Sequence, residues 1–273
     1  MRVESCCQSL LAEIIQEIDP QKEGFCIDVG VGTFAFYCEV FAKLGYPTIA
    51  VEPLPVKKLK QISASYGIKL LENCLSNIDG KQLLYLGNFA GLFNSNFSSL
   101  SPEWFGSSPK TKEVESITLS TLLSRIKPDK ITCLKLDIEG WEFNVIEQLP
   151  NIDNALLPQV IMFEYGGGVN KKQGQKGWSK DFLEKTLNCL KILQKCGYQS
   201  CIMIDFAPQS KERFFDLQSV NIAVDQLFDD QSVYGNIITL KNGNISPAKI
   251  HTICQPYYQA SLIDLLVHQL VSR

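Results

Sequence analysis

The stretch Phe25-Cys26-Ile27-Asp28-Val29-Gly30-Val31-Gly32-Thr33-Phe34 decides the fold. Phe25 to Val29 is a short, mainly apolar run that stops at glycine, which is how a strand buried on both faces reads. A helical pattern follows from Phe34 to Leu44, with Gly45 as its C-terminal cap. Glycines between strand and helix let the backbone approach a ligand that a side chain would block. The amides opening the next helix would then face that ligand. Gly30-x-Gly32-x-x-Ala35 fits the dinucleotide fingerprint, although the spacing alone is a weak signal.

Outward from this turn, strand-like and helical patterns alternate. Thr48 to Val51 reads as a strand, Pro55 to Tyr66 as a helix closed by Gly67, and Ile68 to Leu75 as a third strand. Leu119 to Arg125 is a helix, Ile131 to Leu136 a strand, Trp141 to Gln148 a helix and Val160 to Glu164 a strand. Ser179 caps a helix running to Cys196, Cys201 to Asp205 and Asn236 to Leu240 are later strands, and Gln255 to Val271 is a final helix. Leu10, Ile14 and Ile18, with Leu11 and Ile15 beside them, give residues 1–20 an amphipathic helix. The order predicts an α/β fold, a doubly wound sheet with helices on both faces, in one domain over residues 1–273. Asn77 to Lys112 breaks the alternation. Asp79-Gly80 signals a hairpin and Gln82 to Leu86 a strand, but Gly87 to Ser108 reads as a long loop. Its Phe89, Phe93, Phe97, Trp104 and Phe105 suit a wall or lid facing an acceptor, placed at residues 87–112. Gly166 to Gly177 reads as a mobile polar loop.

Composition excludes several classes. A formal net charge of −3 supplies no bulk field toward nucleic acid or an anionic membrane. The lysines at 57, 58 and 60 and at 171, 172 and 176 read as solvated surface. Glu4, Glu13, Glu17 and Asp19 interrupt any secretory signal, and no run of 18 apolar residues spans a membrane. Ten cysteines without a Cys-x-x-Cys pair read as reduced thiols of a cytoplasmic protein. With only His251 and His268, a histidine-rich metal site is not expected.

Two constellations carry chemistry. Asp28, at the strand end, would repel a pyrophosphate but attract a cofactor bearing an ammonium and a sulfonium. Glu52, 20 residues past Gly32 and before Pro53, ends the second strand, where an acid can accept from ribose hydroxyls. The other is Leu134-Lys135-Leu136-Asp137-Ile138-Glu139-Gly140, an apolar strand with a charged tip. At the carboxyl end of a parallel strand such residues face the ligand crevice, and Lys135 and Asp137 share one face.

Together with Val51-Glu52-Pro53 and Ile117-Thr118-Leu119, these segments resemble the FkbM-type methyltransferase family, with Phe163-Glu164 resembling its later strand. The resemblance covers roughly residues 20 to 165 and departs from the pattern at Trp141. It implies a class I methyltransferase Rossmann-like fold, S-adenosylmethionine as cofactor with S-adenosylhomocysteine as product, and methylation of hydroxyls on sugars or natural-product intermediates. The expected cofactor contacts are Asp28, Gly30, Gly32, Phe34, Glu52, Pro53, Ser76 and Asp137. Asp137, Glu139 and Glu164 are candidate bases, and Lys135 a candidate to steady an alkoxide. A divalent ion on Asp137 and Glu139 is allowed by hard-cation chemistry but not expected. The expected partner is a small-molecule acceptor, with a homodimer allowed. Two rival readings are a nicotinamide-dependent oxidoreductase, which leaves Asp28 facing a pyrophosphate, and a non-catalytic cofactor-binding module.

Overall fold

In the computed structural model, residues 1–89, 92–166, 180–207, 210–228, 232, 234–243 and 245–259 are described. The expected loop from Gly167 onward, the Ser179 cap and the last helix beyond Gln259 lie outside them. The chain runs α1 (Val3–Ile18), β1 (Phe25–Val29), α2 (Tyr37–Lys43), β2 (Thr48–Val51), α3 (Lys57–Tyr66), β3 (Lys69–Leu71) and β4 (Cys74–Leu75). It continues through β5 (Gly80–Phe89), β6 (Leu92–Phe93), β7 (Ser107–Ile117), α4 (Leu119–Ile126), β8 (Ile131–Leu136), α5 (Glu142–Ile146) and β9 (Val160–Gly166). It closes with α6 (Lys180–Lys195), β10 (Ser200–Asp205), β11 (Arg213–Asp216), α7 (Val224–Leu227), β12 (Tyr234–Leu240) and α8 (Pro247–Cys254).

The main sheet has the order β11-β10-β12-β9-β8-β1-β2-β3. β3, β2, β1, β8 and β9 run parallel, and β12 runs antiparallel between β9 and β10. The chain winds from β1 to one edge and then returns to β8 on β1's other side. Strand order therefore reverses between β1 and β8, where doubly wound sheets bind ligands. This is a mixed α/β, doubly wound architecture with helices on both faces of the sheet.

The period of two in the central strands sends alternate residues to two cores. Ile27, Val29, Leu134, Leu136, Ile161 and Phe163 meet one layer that includes Leu122 of α4, Val145 of α5 and Leu190 of α6. Cys26, Cys133, Val160 and Met162 meet the other, built by α1, α2 and α8 through Leu10, Leu11, Ile14, Phe41 and Ile250. Asp28 and Lys135 fall in the parity of the second face. All ten cysteines are free, and all but Cys196 are buried.

Three expectations need correction. The third strand, expected over Ile68 to Leu75, splits: β3 joins the main sheet and β4 joins a smaller one of order β4-β7-β5-β6. The expected loop from Gly87 to Ser108 is partly strand, because β5 extends to Phe89 and pairs antiparallel with β7. β7 escaped notice because its first residues are polar and mostly exposed and its pairing is made by backbone. α2 starts at Tyr37 rather than Phe34, so Thr33 to Phe36 belong to the turn. β11 and α8 were not anticipated, although Ser246 followed by Pro247 is a helix-start signal: Ser246 caps the Lys249 amide.

Gly30 has φ +71, and a Cβ there would overlap the Asp137 carbonyl oxygen. Gly67, capping α3 at φ +67, has open space around it. Gly30→Ala should therefore cost about 3 kcal/mol or more, strain and steric overlap adding, and Gly67→Ala about 1 kcal/mol. Urea midpoints measure both; equal losses would contradict this account of the turn.

Candidate active site

A cleft of about 950 Å³, counting its open mouth, lies over the β1/β8 reversal. Its floor is the turn from Val29 to Ala35 and the loop from Asp137 to Glu139. One end is formed by Glu52, Pro53 and Leu54 after β2, with Asn73, Cys74, Leu75 and Trp141. Ser95, Asn96, Ser98, Ser99 and Leu100, between β6 and β7, form a wall. Glu4 reaches in from α1.

The floor is fixed by one buried cation. Lys135 Nζ donates to the Gly30 carbonyl at 2.9 Å and pairs with Asp28 Oδ1 at 3.1 Å and Asp137 Oδ2 at 3.4 Å. It also lies 5.1 Å from the centroid of the Tyr37 ring. Burial opposes its charge, but Asp28, Asp137 and Glu4 outweigh that and raise its pKa. Of these contacts the one to the Gly30 carbonyl is a hydrogen bond, and those to the two carboxylates are ion pairs. Lys135 is 1% exposed and does not line the cleft, so from here it acts as a positioning residue beneath the floor. Asp28 is fully buried and not part of the lining. It accepts from the Cys38 amide at 2.8 Å, joining the start of α2 to β1. Burial pushes its carboxyl up and Lys135 pulls it down, with a net rise.

Glu52 accepts from the Gly32 amide at 3.2 Å and the Leu54 amide at 2.9 Å. Burial raises its pKa against those two bonds. Gly30, Gly32, Phe34, Glu52, Pro53 and Asp137 all line the cleft. Phe34 is 66% exposed at its mouth. Ser76 does not line it; its hydroxyl accepts from Gln82 at 2.8 Å and from the Trp141 indole at 3.1 Å, and so supports Trp141. The reason is the early break of the third strand, which puts Asn73, Cys74 and Leu75 on the wall instead.

Beyond Asp137 the loop is tightly held. The Asp137 amide donates to Val29 O at 3.1 Å, and the Ile138 amide to Glu142 Oε1 at 2.9 Å. Ser99 donates to the Glu139 carbonyl at 2.6 Å, tying the wall to the loop. Glu139 has φ +57, and Gly140 has φ +85 where Phe182 and Trp104 leave no room for a Cβ. Within the segment expected to form a wall or lid, Ser95, Asn96, Ser98, Ser99 and Leu100 line the cleft, and Ser99 ties them to this loop.

Asp137, Glu139 and Glu164 each bring a carboxylate oxygen within 4.8 Å of the others. Such an all-oxygen set is the kind hard divalent cations take. Glu164 Oε2 is buried and has no hydrogen-bond partner among the described residues. Burial, then Asp137 and Glu142, push Glu139 well up; burial, then Glu139 and Asp137, do the same to Glu164. Carboxylates this close resist joint ionisation. Sequence reasoning missed Glu4, Asn73 and Asn96 as lining residues. Asn96 follows Ser95 in a polar run, and no local signal distinguished any of the three.

The sequence matches the Methyltransferase FkbM domain over residues 24–200, more than half of the chain. The chain belongs to the FkbM methyltransferase family. It is a methyltransferase, and the match runs from just before β1 to the first residue of β10. α1, β12 and α8 lie outside it. No curated protein matches the chain. No helix among the described residues is long and apolar enough to cross a membrane.

The carboxylates predict a pH dependence. Glu142 is buried, and burial chiefly raises its pKa from 4.5 to about 7. The folded state then holds this proton more tightly than the unfolded state. The resulting stability is complete below about pH 4.5 and lost as pH rises through about 7, a contribution of about 3 kcal/mol. Glu139 and Glu164 shift in the same direction. With a chelator present, the ligand-free protein should melt higher at pH 5.5 than at pH 8, and Glu142→Gln should flatten the difference. Thermal melts showing greater stability at pH 8 would contradict this.

Proposed function

We propose that this methyltransferase uses S-adenosylmethionine to methylate a hydroxyl of a small molecule, a sugar or a natural-product intermediate. The observation that carries the reading is the charge of the cleft. Glu4, Glu52, Asp137 and Glu139 line it, and among the described residues no Lys, Arg or His does. A wall of this sign favours a ligand with an ammonium and a sulfonium and disfavours the pyrophosphate of a nicotinamide dinucleotide.

The residues present fit the cofactor. Glu52 would hold the ribose hydroxyls, its carboxylate already oriented by the Gly32 and Leu54 amides. Asn73, Cys74, Leu75 and Trp141 would enclose the adenine. Gly30 and Gly32 keep the floor free of side chains. S-adenosylmethionine, when bound, supplies a methyl group made electrophilic by its sulfonium.

Asp137 borders both the glycine turn and the acceptor side of the cleft. Held by Lys135, its carboxylate presents fixed negative charge to the sulfonium side without reorganising. Glu139 or Glu164, when ionised, would accept the hydroxyl proton, the two carboxylates lying within 4.8 Å of each other. Glu139 faces the cleft, and Glu164 lies behind it. Ser95 to Leu100 exclude water from the far side and align the acceptor, which supplies much of the rate in an in-line transfer.

Asp137→Asn should reduce methyl transfer to a hydroxylated acceptor at least about a hundredfold, with little change in melting temperature. Transfer of labelled methyl from S-adenosylmethionine across a panel of sugars and hydroxylated natural products measures the rate. Undiminished turnover in a folded Asp137→Asn protein would remove that residue. Transfer confined to nitrogen or carbon acceptors would overturn the hydroxyl reading.

A further inference from the structure

Glu4 is the one lining residue before residue 24, where the family match begins. α1 is packed on the sheet through Leu10, Leu11, Ile14 and Ile15, all fully buried, so its first turn is held at a fixed place beside the cleft. Glu4 Oε2 accepts from the Tyr37 hydroxyl at 2.9 Å. Tyr37 is itself fully buried at the start of α2, immediately after the glycine turn. Asn236 of β12 lies near enough to Glu4 to favour its ionised form. A carboxylate has about four acceptor positions, so the Tyr37 bond leaves room for a further partner.

The other lining carboxylates are committed. Glu52 holds two backbone amides, Asp137 pairs with Lys135, and Glu139 crowds Glu164. Glu4 shares the cleft with the glycine turn and is tied to Tyr37, which opens α2 directly after that turn. Glu52, Gly30, Gly32 and Glu4 line one cleft, so a ligand with its ribose at Glu52 and its chain over the glycines would have Glu4 within the same cavity. The part of S-adenosylmethionine beyond its sulfonium is an α-amino acid, and its ammonium needs an oxygen acceptor of opposite charge.

We infer that Glu4 binds the α-ammonium of the cofactor's amino-acid tail, so that α1 completes a site the family domain leaves open. This rests on the S-adenosylmethionine reading above. Tyr37 positions the carboxylate, and Lys135, Asp137 and Asn236 are the charged and polar groups facing it from β8, the loop after it and β12.

The test compares S-adenosylhomocysteine with its deaminated analogue, which keeps the carboxylate and sulfur but lacks the α-amino group. Calorimetric titration gives the ratio of their dissociation constants, which does not depend on the fraction of folded protein. The wild-type chain should prefer S-adenosylhomocysteine by at least about tenfold, the scale of a charge-assisted hydrogen bond. Glu4→Gln should bring the ratio close to one, and Tyr37→Phe should lower it in part. A ratio unchanged by Glu4→Gln, or near one in the wild-type chain, overturns the assignment while leaving the cofactor reading intact. Binding of neither ligand by folded wild-type protein overturns the cofactor reading itself, and this inference with it.

Discussion

The site depends on the buried ammonium of Lys135. It donates to the Gly30 carbonyl and forms ion pairs with the Asp28 and Asp137 carboxylates, from both sides of the strand reversal. Those contacts bring the end of β1 against the end of β8 so closely that Gly30 can carry no side chain. Asp28 in turn caps the start of α2 through the Cys38 amide. One charge thus fixes the glycine turn, the first turn of the next helix and the loop from Asp137 to Glu139. Removing such a buried partner leaves uncompensated charge, typically at a cost of 3–5 kcal/mol.

The same arrangement exhausts the local positive charge. Glu4, Glu139, Glu142 and Glu164 crowd around the far side of the cleft, with their carboxyl groups pushed toward the protonated form by burial and by one another. An array of this kind is strained without a cation and relieved by one. Electrostatic stress in the ligand-free protein and attraction for a positively charged ligand are therefore two expressions of one charge imbalance.

What could be read from sequence followed the range of the interactions. The strand, turn and helix around Asp28 to Phe34 are local, and apolar periodicity and glycine spacing expose them. The same holds for the charged tip after Leu136, whose side chains reach the crevice because parallel strands end there. β7 was hidden because it pairs by backbone with few apolar positions. Ser76 was misplaced because the strand before it leaves the main sheet at Glu72 and Asn73 to join a second one. Lys135 was legible as a member of the site, but its role was not, since the count of its acceptors depends on residues 105 positions away. Glu4 was read only as a charge interrupting an apolar segment, because its neighbour Tyr37 is distant in sequence.

The central claim is that the cleft selects a cationic adenosyl cofactor by charge. The most direct measurement is calorimetric titration of the purified chain with S-adenosylmethionine and, separately, with oxidised nicotinamide dinucleotide, at low and moderate salt. The account predicts one-to-one binding of S-adenosylmethionine that weakens as salt rises, and no saturable binding of the dinucleotide. Saturable binding of the dinucleotide by protein that ignores S-adenosylmethionine would contradict it.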